Sequence, residues 1–194
     1  MAMKVTLDLT IPQIWSAQDS MIASADTIAL VRLRTYSGKD TSDKPFAKYS
    51  TRPIYVEKDA PLEPRGGVET PRGMYFKGGY REYKMKSRRY TAGGKNQTAE
   101  VDLTLSGALM NNLITTKATK TGYTIGLSSA VKDYGYRVNA RRSFIGLSPT
   151  DQKKLTAAIA SRIKKKLSAP ASYTQAKHLS LISSVNAALR RFKA

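Results

Sequence analysis

The sequence contains no cysteine and only one histidine, His178. The absence of cysteine excludes disulfide bonds, zinc–thiolate sites, iron–sulfur clusters and cysteine nucleophiles. A single histidine gives no support to a histidine-based metal site or to a Ser-His-Asp triad. We interpret His178 as a structural residue of a helix, because no carboxylate lies near it in the sequence.

Long apolar runs are also missing. The longest apolar stretches are far shorter than the ~20 residues that a membrane-spanning helix needs. The N-terminal residues alternate between apolar and polar types and do not form the apolar block of a signal peptide. We therefore expect a protein that is made in a cytoplasm, is soluble and does not bind a membrane.

Acidic residues are scarce relative to basic ones. The 194 residues include 33 lysines and arginines against 14 acidic residues, a formal net charge of +19. Residues 61–98 carry a net charge of +6 and residues 141–194 a net charge of +11, whereas residues 1–60 and 99–140 carry +1 each. This excess indicates a polyanion or an acidic protein surface as the partner.

Several segments have clear secondary-structure patterns. Thr10 and Gln13 form a capping-box pattern around Pro12, which predicts a helix from about residue 11 to 34. The residues on its shared face are Ile11, Ile14, Trp15, Gln18, Ile22, Ala25 and Ala29. Residues 101–105 are expected to be a strand or the lead-in to a short helix, and the residues after them a short helix over 108–113, a hairpin of 114–119 and 123–127, and a turn or short helix over 128–136. A further helix is expected from Ser148, its N-cap, to about 167, with apolar residues at every fourth position: Leu155, Ile159, Ile163 and Leu167.

Residues 61–98 contain seven of the thirteen glycines and have neither a helical nor a strand period. We predict that they form a long inserted arm or extended hairpin that protrudes from the core. Cations and aromatic residues alternate within this segment, a mixture suited to nucleic acid because cations neutralise phosphates and aromatic rings stack on bases. The alternative is a solvated hairpin whose tyrosines cover a protein neighbour. The candidate contact residues of this segment are Arg72, Lys77, Arg81, Lys84, Arg88 and Arg89.

Further cations precede and follow the start of the helix at 148–167. They are candidate contacts for DNA or for an acidic ring, or else an ordinary solvated helix face. These residues are Arg141, Arg142, Lys164, Lys165 and Lys166.

The last residues have the pattern of an amphipathic helix from about 173 to 192. The apolar residues recur at intervals of three and four, which is typical of a coiled-coil seam. We predict that this seam docks on an adjacent chain, and packing onto its own domain is the alternative. The candidate docking seam is Leu179, Ile182, Val185, Leu189 and Phe192.

Two stretches of the sequence come close to catalytic motifs but do not match them. Gly93, Gly94 and Lys95 resemble part of a phosphate-binding loop, but Arg89 and Asn96 replace the required glycine and hydroxyl residue. Glu82 and Asp102 could supply the two carboxylates of a cell-wall hydrolase, but nothing specific marks them as a pair.

A set of short motifs in the second half resembles the virion morphogenesis and tail-completion proteins of tailed phages. The resemblance covers about residues 11–60 and 99–167, and its most specific part is the run from Ala140 to Ser148. The other matching motifs are Leu105-Ser106-Gly107-Ala108-Leu109, Tyr123-Thr124-Ile125-Gly126-Leu127, Tyr134-Gly135-Tyr136 and, as in the related head–tail joining family, Lys44-Pro45-Phe46.

This resemblance implies an α+β fold with a small antiparallel sheet, a long N-terminal helix packed on it, an inserted arm and C-terminal helices. It implies one domain over residues 1–167 and a helical extension over 168–194. It also implies a non-enzymatic structural protein of the virion, without cofactor or metal, that forms a ring at the head–tail junction or at the head-proximal end of the tail.

The partners expected from the resemblance are other copies of the chain, in a hexamer or dodecamer, and neighbouring neck, connector and tail-tube proteins. Genomic DNA in the channel is a further, non-specific contact. The alternative function is that of a basic nucleic-acid-binding protein, which the net charge supports equally well.

Overall fold

The computed structural model describes residues 14–60, 63–87 and 101–168, together with the backbone of residues 3–6. Helices are combined with two three-stranded antiparallel sheets, which confirms the α+β class. The strands are β1 (Met3–Thr6), β2 (Ile54–Glu57), β3 (Val68–Thr70), β4 (Gly73–Phe76), β5 (Leu113–Thr119) and β6 (Gly122–Leu127). The helices are α1 (Ala17–Tyr36), α2 (Gly79–Ser87), α3 (Ala108–Asn111), α4 (Lys132–Arg141) and α5 (Pro149–Ser168), with a 3-10 turn at Ser129–Val131.

The chain forms two compact units. The first comprises the described parts of Met1–Val31, Ile114–Gly126 and Ile145–Ala194. The second comprises the described parts of Arg32–Leu113 and Leu127–Phe144. No helix in the described ranges is both long enough and apolar enough to cross a membrane.

The first unit is built on the sheet with strand order β1-β6-β5. The predicted hairpin is confirmed as β5 and β6. α1 packs on this hairpin through hydroxyl groups, because Ser24 Oγ lies 2.6 Å from Thr115 Oγ1 and Thr27 Oγ1 lies 2.5 Å from Tyr123 OH. The fold therefore places the N-terminal helix on the sheet, as expected.

α5 begins as the sequence predicts. The Asp151 amide donates to Ser148 Oγ at 3.1 Å, and the Ser148 amide donates to Asp151 Oδ2 at 3.2 Å, so that two of the free donors at the helix start are satisfied. Pro149 is the first helical residue, where its missing N–H has no cost. The predicted apolar face is confirmed at Leu155, Ile159 and Ile163, which are buried, and its last residue, Leu167, is half-buried.

α1 begins later than predicted and presents a different face to the core. A reciprocal cap between Ser16 and Asp19 sets its start, with hydrogen bonds of 3.2 Å to Ser16 Oγ and 2.8 Å to Asp19 Oδ2. Thr10 and Gln13 lie outside the described residues. The shared face of the sequence pattern is exposed at Gln18, Ile22, Ala25 and Ala29, because the polar groups on the opposite face bind the hairpin and α5. Of its earlier residues, Ile14 is half-buried and Trp15 is buried ahead of α1, and Ile11 lies outside the described residues.

The second unit contains the sheet with strand order β2-β4-β3. Part of the segment predicted to be a protruding arm forms two of these strands and α2. Phe76 and Tyr83 are buried with their ring centroids 5.3 Å apart, so this part belongs to the core of the unit and the arm prediction is wrong for it. Its strands of three and four residues are too short to show a period.

Glycine also has a specific role in this segment. Gly79 begins α2 with φ +68°, and a Cβ there would lie 2.3 Å from the Arg52 carbonyl oxygen. The glycine therefore permits a left-handed backbone and a close approach of two chain segments. The remaining residues of the predicted arm, 61–62 and 88–98, lie outside the described residues.

Residues 101–105 do not form a strand but are the lead-in to a short helix, the second of the two expected alternatives, since α3 begins at Ala108. The Thr104 amide donates to Asp102 Oδ1 at 3.1 Å, which turns the backbone, and Leu103 has φ +52°. The predicted turn or short helix at 128–136 is the 3-10 turn followed by α4, which extends to Arg141. In the corner that follows α4, Phe144 is fully buried, its amide donates to Asn139 Oδ1, and its carbonyl accepts from Arg34 Nη2 at 2.7 Å.

Candidate functional site

Three polar side chains meet in the interior of the second unit. Lys84 Nζ donates to Asp102 Oδ1 and, at 2.5 Å, to Tyr49 OH. Tyr49 OH in turn donates to Asp102 Oδ1 at 3.3 Å and accepts from the Leu103 amide at 3.2 Å. Together they connect α2, the extended segment around Tyr49 and the turn at 102–104. We call these three residues the buried triad.

The buried triad corrects the prediction for Lys84. Its side chain and that of Asp102 are both 0% exposed, so Lys84 is not a surface contact for a polyanion. The physical reason is its position on the inward face of α2, where a buried ammonium group must be paired with a buried carboxylate. The sequence pattern predicts that Lys84 is exposed because it lies among other cations, which are exposed in the structure.

Burial shifts the titration of two tyrosines in and beside the buried triad. Burial, with a contribution from the negative charge of Asp102, raises the pKa of Tyr49 far above its usual value. Burial likewise raises the pKa of Tyr80, with further contributions from Tyr134 and Tyr83. These phenols stay protonated near neutral pH and act as hydrogen-bonding groups.

The two carboxylates considered for a hydrolase have separate partners. Glu82 Oε1 accepts from Lys86 Nζ at 2.6 Å, and Glu82 Oε2 accepts from the Gly78 amide at 2.7 Å. The bond from Lys86, followed by that from Gly78, lowers the pKa of Glu82. Asp102 belongs to the buried triad, so each carboxylate has a local structural contact.

Arg142 is partly structural. Its guanidinium carbon lies 5.6 Å from the centroid of the Tyr49 ring, and its Nη2 donates to the Ala47 carbonyl at 3.3 Å. Lys84 Nζ lies 4.2 Å from the same centroid, so the Tyr49 ring contacts two cations. Arg141, at the end of α4, is exposed.

The remaining described candidates of the second unit are exposed. Arg72 lies in the turn between β3 and β4, Lys77 follows β4, and Arg81 lies in α2. Three other cations near them in sequence are paired with carboxylates: Lys58 with Glu69 at 3.8 Å, Arg65 with Glu63 at 3.3 Å and Lys86 with Glu82 at 2.6 Å. The described surface around Arg72, Lys77 and Arg81 therefore carries both positive and negative charges.

The three lysines at the end of α5 differ in their contacts. Lys164, Lys165 and Lys166 are all exposed to solvent. Lys166 Nζ, however, donates to Asp19 Oδ2 at 2.5 Å and to the Ile14 carbonyl at 3.2 Å, which ties α5 to the start of α1. Lys164 and Lys165 are therefore the better candidates for a contact with a partner.

An exposed row of side chains crosses the second sheet. Tyr55 pairs with Tyr75, and Tyr75 pairs with Val68, so the three lie side by side on one face. Their exposed fractions are 45%, 40% and 65%. We call these three residues the tyrosine row. Tyr75 belongs to the mixture of aromatic residues and cations in residues 61–98, but no sequence pattern marks Tyr55 and Val68, because their strands are too short to reveal their common face.

Comparison with known proteins gives no relative: no family model, curated protein or solved structure matches the chain. Function has to be inferred from the residues and their arrangement.

Two groups of the predicted site residues lie outside the described residues. Arg88 and Arg89 lie outside the described residues, as does the whole candidate docking seam. Among the residues that the structure describes, no three histidine, aspartate or glutamate side chains come together as a possible metal site.

Proposed function

We propose that the protein is a structural component of a tailed-phage neck, which forms a ring at the head–tail junction or at the head-proximal end of the tail. The tyrosine row is the observation that carries the ring, because an exposed, uncharged aromatic surface fits a contact between copies. The motif resemblance of residues 140–148 and the net charge of +19, which suits a ring around exiting DNA, support it. The structural contacts of the buried triad support a role that is not catalytic.

The tyrosine row has the composition of a protein interface. Tyrosine is enriched at protein interfaces because it combines a large apolar ring with a polar hydroxyl group. The occupant that we propose is a second copy of the chain. Because the row carries no charge, two strongly basic chains meet there without bringing like charges into contact. In this proposal the tyrosine row binds a different surface of the next copy, because only such a head-to-tail contact closes a ring when it is repeated.

The same row favours a second candidate function, the binding of single-stranded nucleic acid. Exposed tyrosine rings on a sheet provide stacking surfaces for bases, and exposed Arg72 and Lys77 at the two ends of β4 would neutralise phosphates. Glu57, which lies on the same face as Tyr55, opposes this function because it would repel phosphates.

Native mass spectrometry of the purified protein distinguishes the two functions. We expect hexamers or dodecamers. The Tyr75→Ser substitution should raise the dissociation constant of these oligomers about tenfold or more. Tyr134→Ser is the matched control, since Tyr134 is an exposed tyrosine of α4 outside the row.

The complementary measurement is the affinity for an oligo-dT strand at two salt concentrations. Nucleic-acid binding as the main function predicts a steep salt dependence and a loss of affinity in Tyr75→Ser. A protein that is strictly monomeric in solution and in intact particles would contradict the ring.

A further inference from the structure

The first four turns of α1 have their polar residues inside and their apolar residues outside. The side chains that face the first unit are mostly small or polar, and the fully buried ones are Ser20, Ala23, Ser24, Thr27 and Val31. The solvent face carries no charge, and Met21 and Ile22 on it are 47% and 39% exposed. We call this face the outer stripe, and its residues are Gln18, Met21, Ile22, Ala25 and Ala29.

The contacts of the inner face fix this orientation. Ser24 and Thr27 are bonded to the β5–β6 hairpin, and the two carboxylates of these turns are paired with α5. Asp19 binds Lys166 and Asp26 binds Arg162, each at 2.5 Å. A rotation that buried the outer stripe would break all of these contacts. The stripe is therefore an apolar surface that needs a cover from elsewhere.

The same ion pairs show where the chain continues after α5. Residue numbers rise along α5 from Arg162 to Lys166 and fall along α1 from Asp26 to Asp19, so the two helices are antiparallel. Lys166 also contacts the Ile14 carbonyl. The last residue of α5, Ser168, therefore lies near the beginning of α1, at one end of the outer stripe.

The remaining 26 residues, 169–194, begin at this point. The four residues 169–172 can span up to about 14 Å, which exceeds the ~10–12 Å diameter of a helix. A helix over 173–192 would place Leu179 and Phe192 about 20 Å apart, and the outer stripe from Gln18 to Ala29 is about 17 Å long. The two apolar surfaces are therefore similar in length. Leu179, six residues after residue 173, would lie about 9 Å along α1 from the end at which the segment enters.

We propose that residues 173–192 form a helix that docks on the outer stripe of α1 in the same chain, through Leu179, Ile182, Val185, Leu189 and Phe192. The short connection favours this occupant over a neighbouring copy, because it keeps the segment at a high effective concentration near α1. The alanines of the stripe, Ala25 and Ala29, allow the two helices to approach closely. The proposal is independent of the proposed function.

Disulfide trapping tests the proposal in the full chain, since the protein contains no cysteine of its own. Ala25→Cys is combined with Ile182→Cys or, in a second variant, with Val185→Cys. We expect mild oxidation to cross-link at least one pair within a single chain. Thr116→Cys with Ile182→Cys is the matched control, because Thr116 is exposed and follows Thr115, which faces α1, so that it points away from that helix.

Hydrogen exchange provides a second measurement. Ile182→Asp should accelerate exchange of the α1 amides by about tenfold or more, because a buried apolar contact is lost. Ser184→Asp, on the opposite side of the predicted helix, should not. The proposal is overturned if both cysteine pairs cross-link no better than the control, if they join two chains, or if the two aspartate variants exchange alike.

Discussion

Lys84 and Asp102 stabilise the second unit only as a pair. Both are fully buried, and each would leave an uncompensated charge if the other were removed. The cost of such a charge is larger than the net contribution of the ion pair itself, because desolvation opposes the attraction between the two groups. The pair also fixes the turn in which Leu103 has φ +52°, a backbone conformation that a leucine rarely adopts.

Lys84→Met should lower the free energy of unfolding by about 3–5 kcal/mol, measured by chemical denaturation, because it removes the counter-charge of the buried Asp102 carboxylate. Lys86→Met, two residues further along α2, removes an exposed pair with Glu82 and should cost less than about 1 kcal/mol. Adding Asp102→Asn to Lys84→Met should recover stability, since it removes the charge but keeps an acceptor for the Thr104 amide. Equal losses in the Lys84 and Lys86 variants would contradict this account.

Asp19 should make the stability of the first unit dependent on pH. Burial alone would raise the pKa of Asp19, but the hydrogen bonds from Lys166 and Ser16 outweigh it and lower the pKa below its usual value. The resulting stabilisation is present above the unfolded pKa of about 3.9 and is lost as the pH falls through the lower folded-state pKa.

Unfolding free energies measured between pH 6 and pH 2 should therefore fall below about pH 4. Asp19→Asn should reduce this decrease and should destabilise the protein at neutral pH. Asp59→Asn is the control, since Asp59 is exposed after β2. An unchanged acid slope in Asp19→Asn would show that other carboxylates determine it.

At the scale of elements, Gly135 allows α4 to pack closely on Leu127 and Leu109, because it has no side chain. A Cβ on Gly135 would lie 2.1 Å from Leu127 Cδ1 and 2.9 Å from Leu109 Cδ1, and both leucines are buried. Gly135→Ala should therefore destabilise the protein by about 1–3 kcal/mol through overpacking, although alanine is the better helix former. Thermal unfolding measures the change.

The control for Gly135 lies in the same helix. Ala140 is exposed, so Ala140→Gly should cost only the difference in helix propensity, about 1 kcal/mol. A gain in stability in Gly135→Ala would mean that the leucines move aside and that the close approach is not required.

Elements that are defined by local signals were predictable from the sequence. The capped start of α5 and the β5–β6 hairpin depend on neighbouring residues, and both are confirmed. The inward face of α1 was not predictable, because it is selected by Thr115, Tyr123 and the α5 cations, which are distant in sequence. Among the candidate site residues, exposure was foreseen for Arg72 and Lys77, whereas the burial of Lys84 depends on Asp102, eighteen residues away.

At the scale of the whole molecule, the net charge of +19 limits how copies assemble. Six copies would carry +114, six times the charge of one, and this field must be offset by DNA, acidic neighbours or counterions. Contacts made by exposed lysines are screened over about 8 Å at physiological ionic strength. Assembly that depends on them is therefore sensitive to salt.

Under the proposed neck function, reversal of charge at Lys164 and Lys165 should weaken joining to an acidic partner, and the difference from the natural chain should shrink as salt is raised. Imaging of particles that carry the Lys164→Glu/Lys165→Glu protein measures the fraction with joined heads and tails. Lys166 is left intact because it binds Asp19. Lys153→Glu/Lys154→Glu, at the exposed start of the same helix, is the charge-matched control. Normal joining at low salt in the Lys164→Glu/Lys165→Glu protein would contradict the role of the α5 terminus.

The buried triad also restricts how this sequence can diverge. A descendant that loses only Lys84 or only Asp102 keeps an uncompensated charged group in its interior, so each single change lowers the stability of the fold. The pair should therefore be inherited together or replaced together, with Tyr49 following the same history because its hydroxyl group binds both. Homologues of this chain should therefore keep or replace Lys84, Asp102 and Tyr49 together, even where their surface cations differ.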